Sequence, residues 1–434
     1  MHSPKFINEK DTESVRQAIL RLNVGHPVVN DRDFRVWQAY TARAWPTLMF
    51  IDPEGKVIGK HEGEFPLESF DELIGEMLRE FDARGLIDRR PLEWSAERMS
   101  GPTPLLFPGK LLADEASGRL VVSDAGHNRI VVADLGGRIR QVIGSGATGF
   151  EDGGARSASF YQPQGLALDG DTLYVADTEN HALRAVDLQS GDVTTLAGTG
   201  EQLMGERVGG PARETRLSSP WDLAIVDGTL YIAMAGTHQL WAMRLGGTEI
   251  GPHTGNGREA LIDGPREDAS MNQPSGLGAG RASPGGGAFL YVADSEASAI
   301  RGVDPGPDGV IWTIVGEGLF EFGDRDGEGP ENVRLQHPLG VAWHDGTLYV
   351  ADTYNHKIKR LDPRTAACRT FLGTGEAGHR DGPPTVARLS EPSGLSIAVG
   401  RLYVADTNNH AVRVAELKSG EVETLTLSGL APPP

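Results

Sequence analysis

An internal repeat limits this chain to very few folds. One phrase recurs six times: SDAGHNRI from Ser123, ADTENHAL from Ala176, AMAGTHQL from Ala233, ADSEASAI from Ala293, ADTYNHKI from Ala351 and ADTNNHAV from Ala405. With Asp124, Asp177, Met234, Asp294, Asp352 and Asp406 taken as equivalent, the spacings are 53, 57, 60, 58 and 54 residues. A period of that length means one supersecondary unit per copy, stable only when stacked on its neighbours.

Each unit opens with a Pro-x-Gly-Leu-Ala-like start (Pro163 to Ala167, Pro338 to Ala342, Pro392 to Leu395), followed by an apolar strand. Leu-Tyr-Val-Ala-Asp, an Arg- or Lys-bearing strand and a Thr-Leu-Ala-Gly-Thr-Gly ending complete it. The strand reading rests on period two: Leu173, Val175 and Asp177 face one way and Tyr174 and Ala176 the other, with both faces apolar or small. A sheet covered on both sides is what a propeller blade needs, so six four-stranded units close into a six-bladed β-propeller; an open solenoid is the competing architecture. The phrase resembles the NHL repeat, best in Asn180-His181-Ala182-Leu183, Asn355-His356-Lys357-Ile358 and Asn409-His410-Ala411-Val412, over roughly residues 105 to 430. Units three and four depart from it, with Met234 in the Asp slot and Ala297 and Ser298 in the Asn-His slots.

The recurring histidines invite a metal reading, yet their positions (Asn128, His181, His238, Ser298, His356, His410) fall one per blade, and symmetry disperses them. The expectation is a local hydrogen-bonding role at a turn and no metal site. Asp177 with Arg184, Asp294 with Arg301, Asp352 with Lys359 and Asp406 with Arg413 are expected to pair across strands. Long connections between blades all fall on one face and build a composite surface. Four of them carry Asp-Gly: Asp152-Gly153, Asp263-Gly264, Asp326-Gly327 and Asp381-Gly382. Turn formation accounts for these; the alternative is an acidic rim of Asp152, Asp263, Asp326 and Asp381, deepened by Glu151, Asp324 and Glu328, that attracts a cation or a basic partner.

The 57 glycines and an apolar fraction of 39% fit a turn-rich β protein. Net charge is −19, of which residues 1–95 carry −4 and the rest −15, with no basic run; nucleic acid is excluded as a partner. Cys368 is the single cysteine, so an intrachain disulfide and a cysteine metal cluster are impossible, and a reducing, cytoplasmic setting is the simpler expectation. The sequence contains no apolar run of membrane-spanning length, and no membrane partner is expected.

Residues 1–85 read as helix, strand (Pro27-Val28-Val29), helix through Phe34 and Trp37, a hairpin of Thr47–Ile51 and Lys56–Lys60, then a helix from Leu67 to Phe81. Ala44-Trp45-Pro46-Thr47-Leu48-Met49-Phe50-Ile51-Asp52 resembles the thioredoxin-like pattern, which implies a cis Pro46, a site shaped by Trp45 and docking of a substrate or partner at Trp45 and Pro46. Dithiol chemistry needs cysteines, and none stands in this region. The combination resembles the NHL-repeat-containing protein 2 family, a thioredoxin-like domain fused to a six-bladed NHL propeller. That family's pattern extends upstream, which implies a shortened start here, with a naturally minimal domain as the alternative. The expected organisation is a partial α/β thioredoxin-like domain (1–85), a Pro-containing linker (86–107) and the propeller (108–434).

Function reads first as a protein-binding platform with a redox-inactive, incomplete thioredoxin-like domain, without cofactor and not an enzyme as the chain stands. Two alternatives remain: a thiol-disulfide oxidoreductase whose cysteines lie upstream, and a propeller hydrolase or lyase with a channel metal. The last needs polar inner strands, and Gly165–Leu168 and Gly340–Trp343 are apolar and small, leaving Asp169 and His344 as the nearest candidates. Cys368 reads as a structural thiol.

Overall fold

The computed structural model describes all residues except 64, 66, 92, 100, 282–286 and 434, and only the backbone of 67 and 68. It divides into two compact units, 1–100 and 101–434.

The larger unit consists of six antiparallel sheets, each built from one contiguous stretch with its four main strands in sequence order. We number them as blades 1 to 6, with innermost strands starting at Leu111, Pro163, Pro220, Pro274, Gly340 and Pro392. The period-two pattern becomes geometry at the second strands: Leu120 and Val122 pack toward blade 6, whereas Val121 packs toward blade 2. Every blade repeats this, giving six apolar clusters, one per interface, the last joining Leu120 and Val122 to Tyr403 and Val412. With about 1.5 to 3 kcal/mol from each fully buried Val, Leu or Ile, these interfaces supply the main stabilisation of the ring.

An outer strand exposes unpaired N–H and C=O groups, a liability in any sheet. The loop entering each blade covers that edge: Gly153 bridges Val193, Gly327 bridges Cys368 and Gly382 bridges Val422, while Gly210 and Gly264 pair with Ile250 and Ile311. Gly153, Gly264 and Gly382 hold φ of 144°, 138° and 129°, which explains three of the four Asp-Gly steps; at Gly327 a Cβ would sit 2.4 Å from Asn332 O. Blade 1 is entered from the other unit, so the chain's far end substitutes. Ser428 bridges Arg138, and Leu425, Leu427 and Leu430 pack on the blade 6 to blade 1 cluster. Arg129 ties both ends, donating to Pro104 O at 2.7 Å, Ala431 O at 3.0 Å and Asp124 at 2.7 Å.

The smaller unit comprises α1 (Thr12–Arg21), α2 (Arg35–Ala39), a hairpin of β1 (Thr47–Ile51) and β2 (Val57–Glu62), and α3 (Asp71–Ala83). Asp52 nucleates the hairpin turn by accepting from Glu54 N and Lys56 N, both at 2.9 Å. The strand expected at Pro27-Val28-Val29 is not formed. Its one backbone–backbone hydrogen bond among the described residues comes from His2, whose N–H donates to Val29 O at 2.8 Å, and no ladder flanks it. The Trp45–Pro46 peptide is cis. The segment expected as a linker divides between the units: Trp94 Nε1 donates to Gly25 O at 3.2 Å and Glu97 pairs with Arg16, whereas Leu105 and Phe107 are buried in the propeller.

Two changes test ring closure. A chain ending at Thr424 melts several degrees lower in its propeller transition, followed by circular dichroism. Arg129→Leu, which strips the buried Asp124 of its guanidinium, costs about 3 to 5 kcal/mol in urea denaturation.

Candidate functional site

The repeated phrase is a joint between blades. Its histidine slot ends a short 3-10 turn in the left-handed region, with φ from 48° to 56° across Asn128, His181, His238, Ser298, His356 and His410. Each of these side chains accepts a hydrogen bond from the next blade, from the N–H preceding its opening proline. The donors are Gln162 to Asn128 (2.9 Å), Ser219 to His181 (3.1 Å), Gln273 to His238 (3.2 Å), His337 to Ser298 (3.1 Å), Glu391 to His356 (3.1 Å) and Phe107 to His410 (3.1 Å). The six donor residues are themselves left-handed, with φ from 45° to 60°. Hydroxyls add a second latch: Thr178, Ser295, Thr353 and Thr407 donate to Pro220, Pro338, Pro392 and Pro108 carbonyls at 2.7 to 2.9 Å. The hydrogen-bonding role read from the sequence is therefore present, and it reaches across to the next blade. A ring nitrogen that accepts from an N–H is unprotonated, and burial agrees: it lowers the His181 pKa and, with the neighbouring His127, depresses His410 to about 4 against the pull of Asp124.

The strand-end aspartates form a second network. Asp177, Asp294, Asp352 and Asp406 each accept from an incoming backbone N–H (Tyr161, Asn272, Gln336, Ser390) at 2.7 to 2.8 Å. Their cross-strand partners stand as expected: Arg184 at 2.8 Å, Arg301 at 3.0 Å, Lys359 at 3.8 Å and Arg413 at 2.7 Å. Burial pushes Asp177 and Asp294 up to about 6, and the adjacent guanidinium groups oppose it.

The Asp-Gly aspartates share the same cations. Asp152 meets Arg184 at 2.8 Å, Asp263 meets Arg301 at 2.8 Å, Asp326 meets Lys359 at 2.8 Å and Asp381 meets Arg413 at 2.5 Å. Thr195, Thr313, Thr370 and Thr424 hydroxyls complete the set at 2.8 to 3.2 Å. Partial burial opposes the charge on Asp152, Asp326 and Asp381, yet hydrogen bonds from these threonines and the Arg or Lys groups outweigh it and hold all three below the usual carboxyl range. These four half-exposed carboxylates thus spend their charge inward, on the protein's own cations. Of the residues that deepen the rim, Asp324 also pairs with Lys359, at 2.6 Å, and Glu328 with Arg369 at 3.0 Å.

Blade 3 solves the same packing problem without charge. Trp241, in the arginine slot, is fully buried and donates to Gln239 at 3.2 Å, while Ser218 N–H points at Met234 Sδ at 3.4 Å. Cys368 is buried beneath the blade 5 outer edge, where desolvation pushes its thiol up to about 12.

A cavity of about 240 Å³ follows the axis, lined by Leu166, Leu223, Leu277, Val341, Ser396 and His344 among others, and by Lys110 and Asp222. His344 stands at one end; Asp169 is not among the lining residues. Lys110 and Asp222 were missed from sequence. The available signal was that they occupy the glycine slot of the Pro-x-Gly start. On the smaller unit, Trp45 is 45% exposed, packs on Trp37 with ring centroids 4.4 Å apart and donates to Ser3 O at 2.9 Å, directly before the cis Pro46 and β1. Among the described residues there is no cluster of three or more His, Cys, Asp or Glu arranged to hold a metal, and no helix long and apolar enough to cross a membrane.

Two outcomes follow. His410 has a depressed folded pKa, so its contribution is complete above about 6.5 and is lost as pH falls toward about 4. The stability lead of the wild type over His410→Asn, which places in blade 6 the residue blade 1 uses, therefore shrinks across that window in parallel urea titrations. Ellman's reagent leaves Cys368 unmodified in the folded protein and modifies it fully in denaturant.

The NHL repeat model matches residues 160–186 and 389–415. The chain is 43% identical to Protein SUPPRESSOR OF QUENCHING 1, chloroplastic, of Arabidopsis thaliana, across 100% of its own length and 42% of that protein. It is 41% identical to NHL repeat-containing protein 2 of Bos taurus, and 39% identical to that of Homo sapiens, across 97% and 98% of this chain and 62% of each relative. It thus spans from about two fifths to about three fifths of the relatives it matches. With six joints of one pattern and this likeness along nearly its whole length, the chain belongs, over the part it spans, to the NHL-repeat propeller family of NHL repeat-containing protein 2 and its plant relative.

Proposed function

We propose that this chain is a binding platform for protein partners, built on the face of the propeller that carries the interblade loops. The observation that carries this reading is where exposed apolar side chains lie. Met204 and Val208, Ile262, and Phe320 stand on the three consecutive loops entering blades 3, 4 and 5, with Val208 and Phe320 each 65% exposed. Large apolar groups on long loops of one face are the anchors a protein partner buries. The recurrent polar residues support the same reading from the other side, because their hydrogen-bonding capacity is committed to holding blades together. Trp45 and Pro46 are a second docking element within this proposal, on a unit we take as thioredoxin-like, whose residues 1–100 carry no cysteine. A reducing compartment such as the cytoplasm would suit the single buried Cys368.

A photo-crosslinking residue at Phe320 or Val208 is expected to trap one specific partner in cells of the source organism, whereas the same residue at Asp308, in a short turn of the opposite face, traps none. Phe320→Ser with Val208→Ser then weakens that partner at least tenfold in titration calorimetry while leaving the melting temperature unchanged. Equal trapping from both faces, or unchanged affinity, overturns the reading.

A further inference from the structure

Each inner strand enters the ring through the same slot, held by Lys110, Gly165, Asp222, Gly276, Gly340 and Gly394 in blade order. Glycine is there because backbones crowd the axis. A Cβ at Gly340 would sit 2.0 Å from Ser393 O, one at Gly165 2.4 Å from Asp222 Cα, and one at Gly394 2.6 Å from Lys110 Cα. Two slots break the rule, and they hold opposite charges.

Lys110 is only 3% exposed. Its Nζ lies 3.1 Å from Asp222 Oδ2 and donates to Ser275 O at 2.7 Å and to Leu339 O. Asp222 in turn accepts from Leu223 N and Leu277 N, both at 2.9 Å. One ammonium group from blade 1 thus meets blades 3, 4 and 5 at once. Two charges so deeply buried persist only when each satisfies the other and the remaining hydrogen-bonding capacity is filled, as it is here. Burial lowers the Lys110 pKa, and Asp222 opposes that shift without reversing it.

We propose that Lys110 and Asp222 form an axial lock, a single ion pair that binds four of the six blades across the channel and closes it where the inner strands begin. The cavity beyond the lock is then a pocket with one mouth, near His344 on the short-turn face. A ring whose blades are each contiguous lacks a strand shared between first and last blade. The lock supplies a cross-ring tie that neighbour-to-neighbour joints do not.

Three variants of the full chain, set against the wild type, test this. Lys110→Met and Asp222→Asn each strand one buried partner and are expected to lower the propeller melting temperature by several degrees. In Lys110→Gly with Asp222→Gly both slots return to the residue of the other four blades, and the loss is clearly smaller than the two single losses together. Amide exchange of Leu277 quickens in Asp222→Asn, while that of Leu166, in a blade without the pair, does not change. If the singles fail to fold and the double glycine variant folds, the lock stands. Additive losses, unaffected single variants or an unfolded double variant overturn it.

Discussion

The whole ring depends on one hydrogen bond made six times, from the backbone N–H ahead of each blade's opening proline to the side chain that ends the previous blade's turn. Both residues sit in the left-handed region, which aims the donor and the acceptor at each other across the interface. The acceptor must carry a lone pair on a short side chain that tolerates positive φ. Histidine, asparagine and serine all satisfy this, so Asn128 and Ser298 do the work of His181. Because the bond joins successive blades, each apolar interface is set in register by the joint above it, and the last joint, from Phe107 to His410, closes the circle.

Beneath these joints the buried aspartates organise the loops. One Asp orients one Arg, whose two terminal nitrogens also hold loop carbonyls and the Asp of the Asp-Gly step, as in Arg184 with Ser159 O, Glu151 O and Asp152. Breaking such a pair leaves a stranded charge, whereas replacing it whole with apolar residues can be neutral. Blade 3 does the latter with Met234 and Trp241, and its backbone pairing is unchanged in kind. The four carboxylates of the Asp-Gly steps are therefore each paired with a cation of their own blade. The long loops are tied at their roots and free to vary at their tips, the arrangement expected of a scaffold that presents variable surface from a rigid base.

Much of this was legible in the chain. The six phrases and their spacing determined the blade count, period two determined which residues face which neighbour, and Asp177 with Arg184 predicted its own ion pair. What could not be read were contacts between residues far apart in sequence with no local pattern. Arg129 stands outside the slot used by the other blades, and its capture of Pro104 and Ala431 exists only because the ring brings the segments before its first blade and after its last blade together. Pro27-Val28-Val29 has strand composition, yet a strand needs a partner edge, and composition does not provide one.

By itself the sequence determined the local conformations: turns that demand positive φ, strands that alternate, glycines where backbones cross. These depend on sterics within a few residues. Tertiary structure alone decided which polar groups are spent. It paired the Asp-Gly carboxylates with buried cations, made local turn histidines into joints between blades, and brought Lys110 and Asp222, 112 positions apart in the sequence, within 3.1 Å on the axis. Hydrogen bonds and ion pairs depend on distance in space, and only closure of the ring sets those distances.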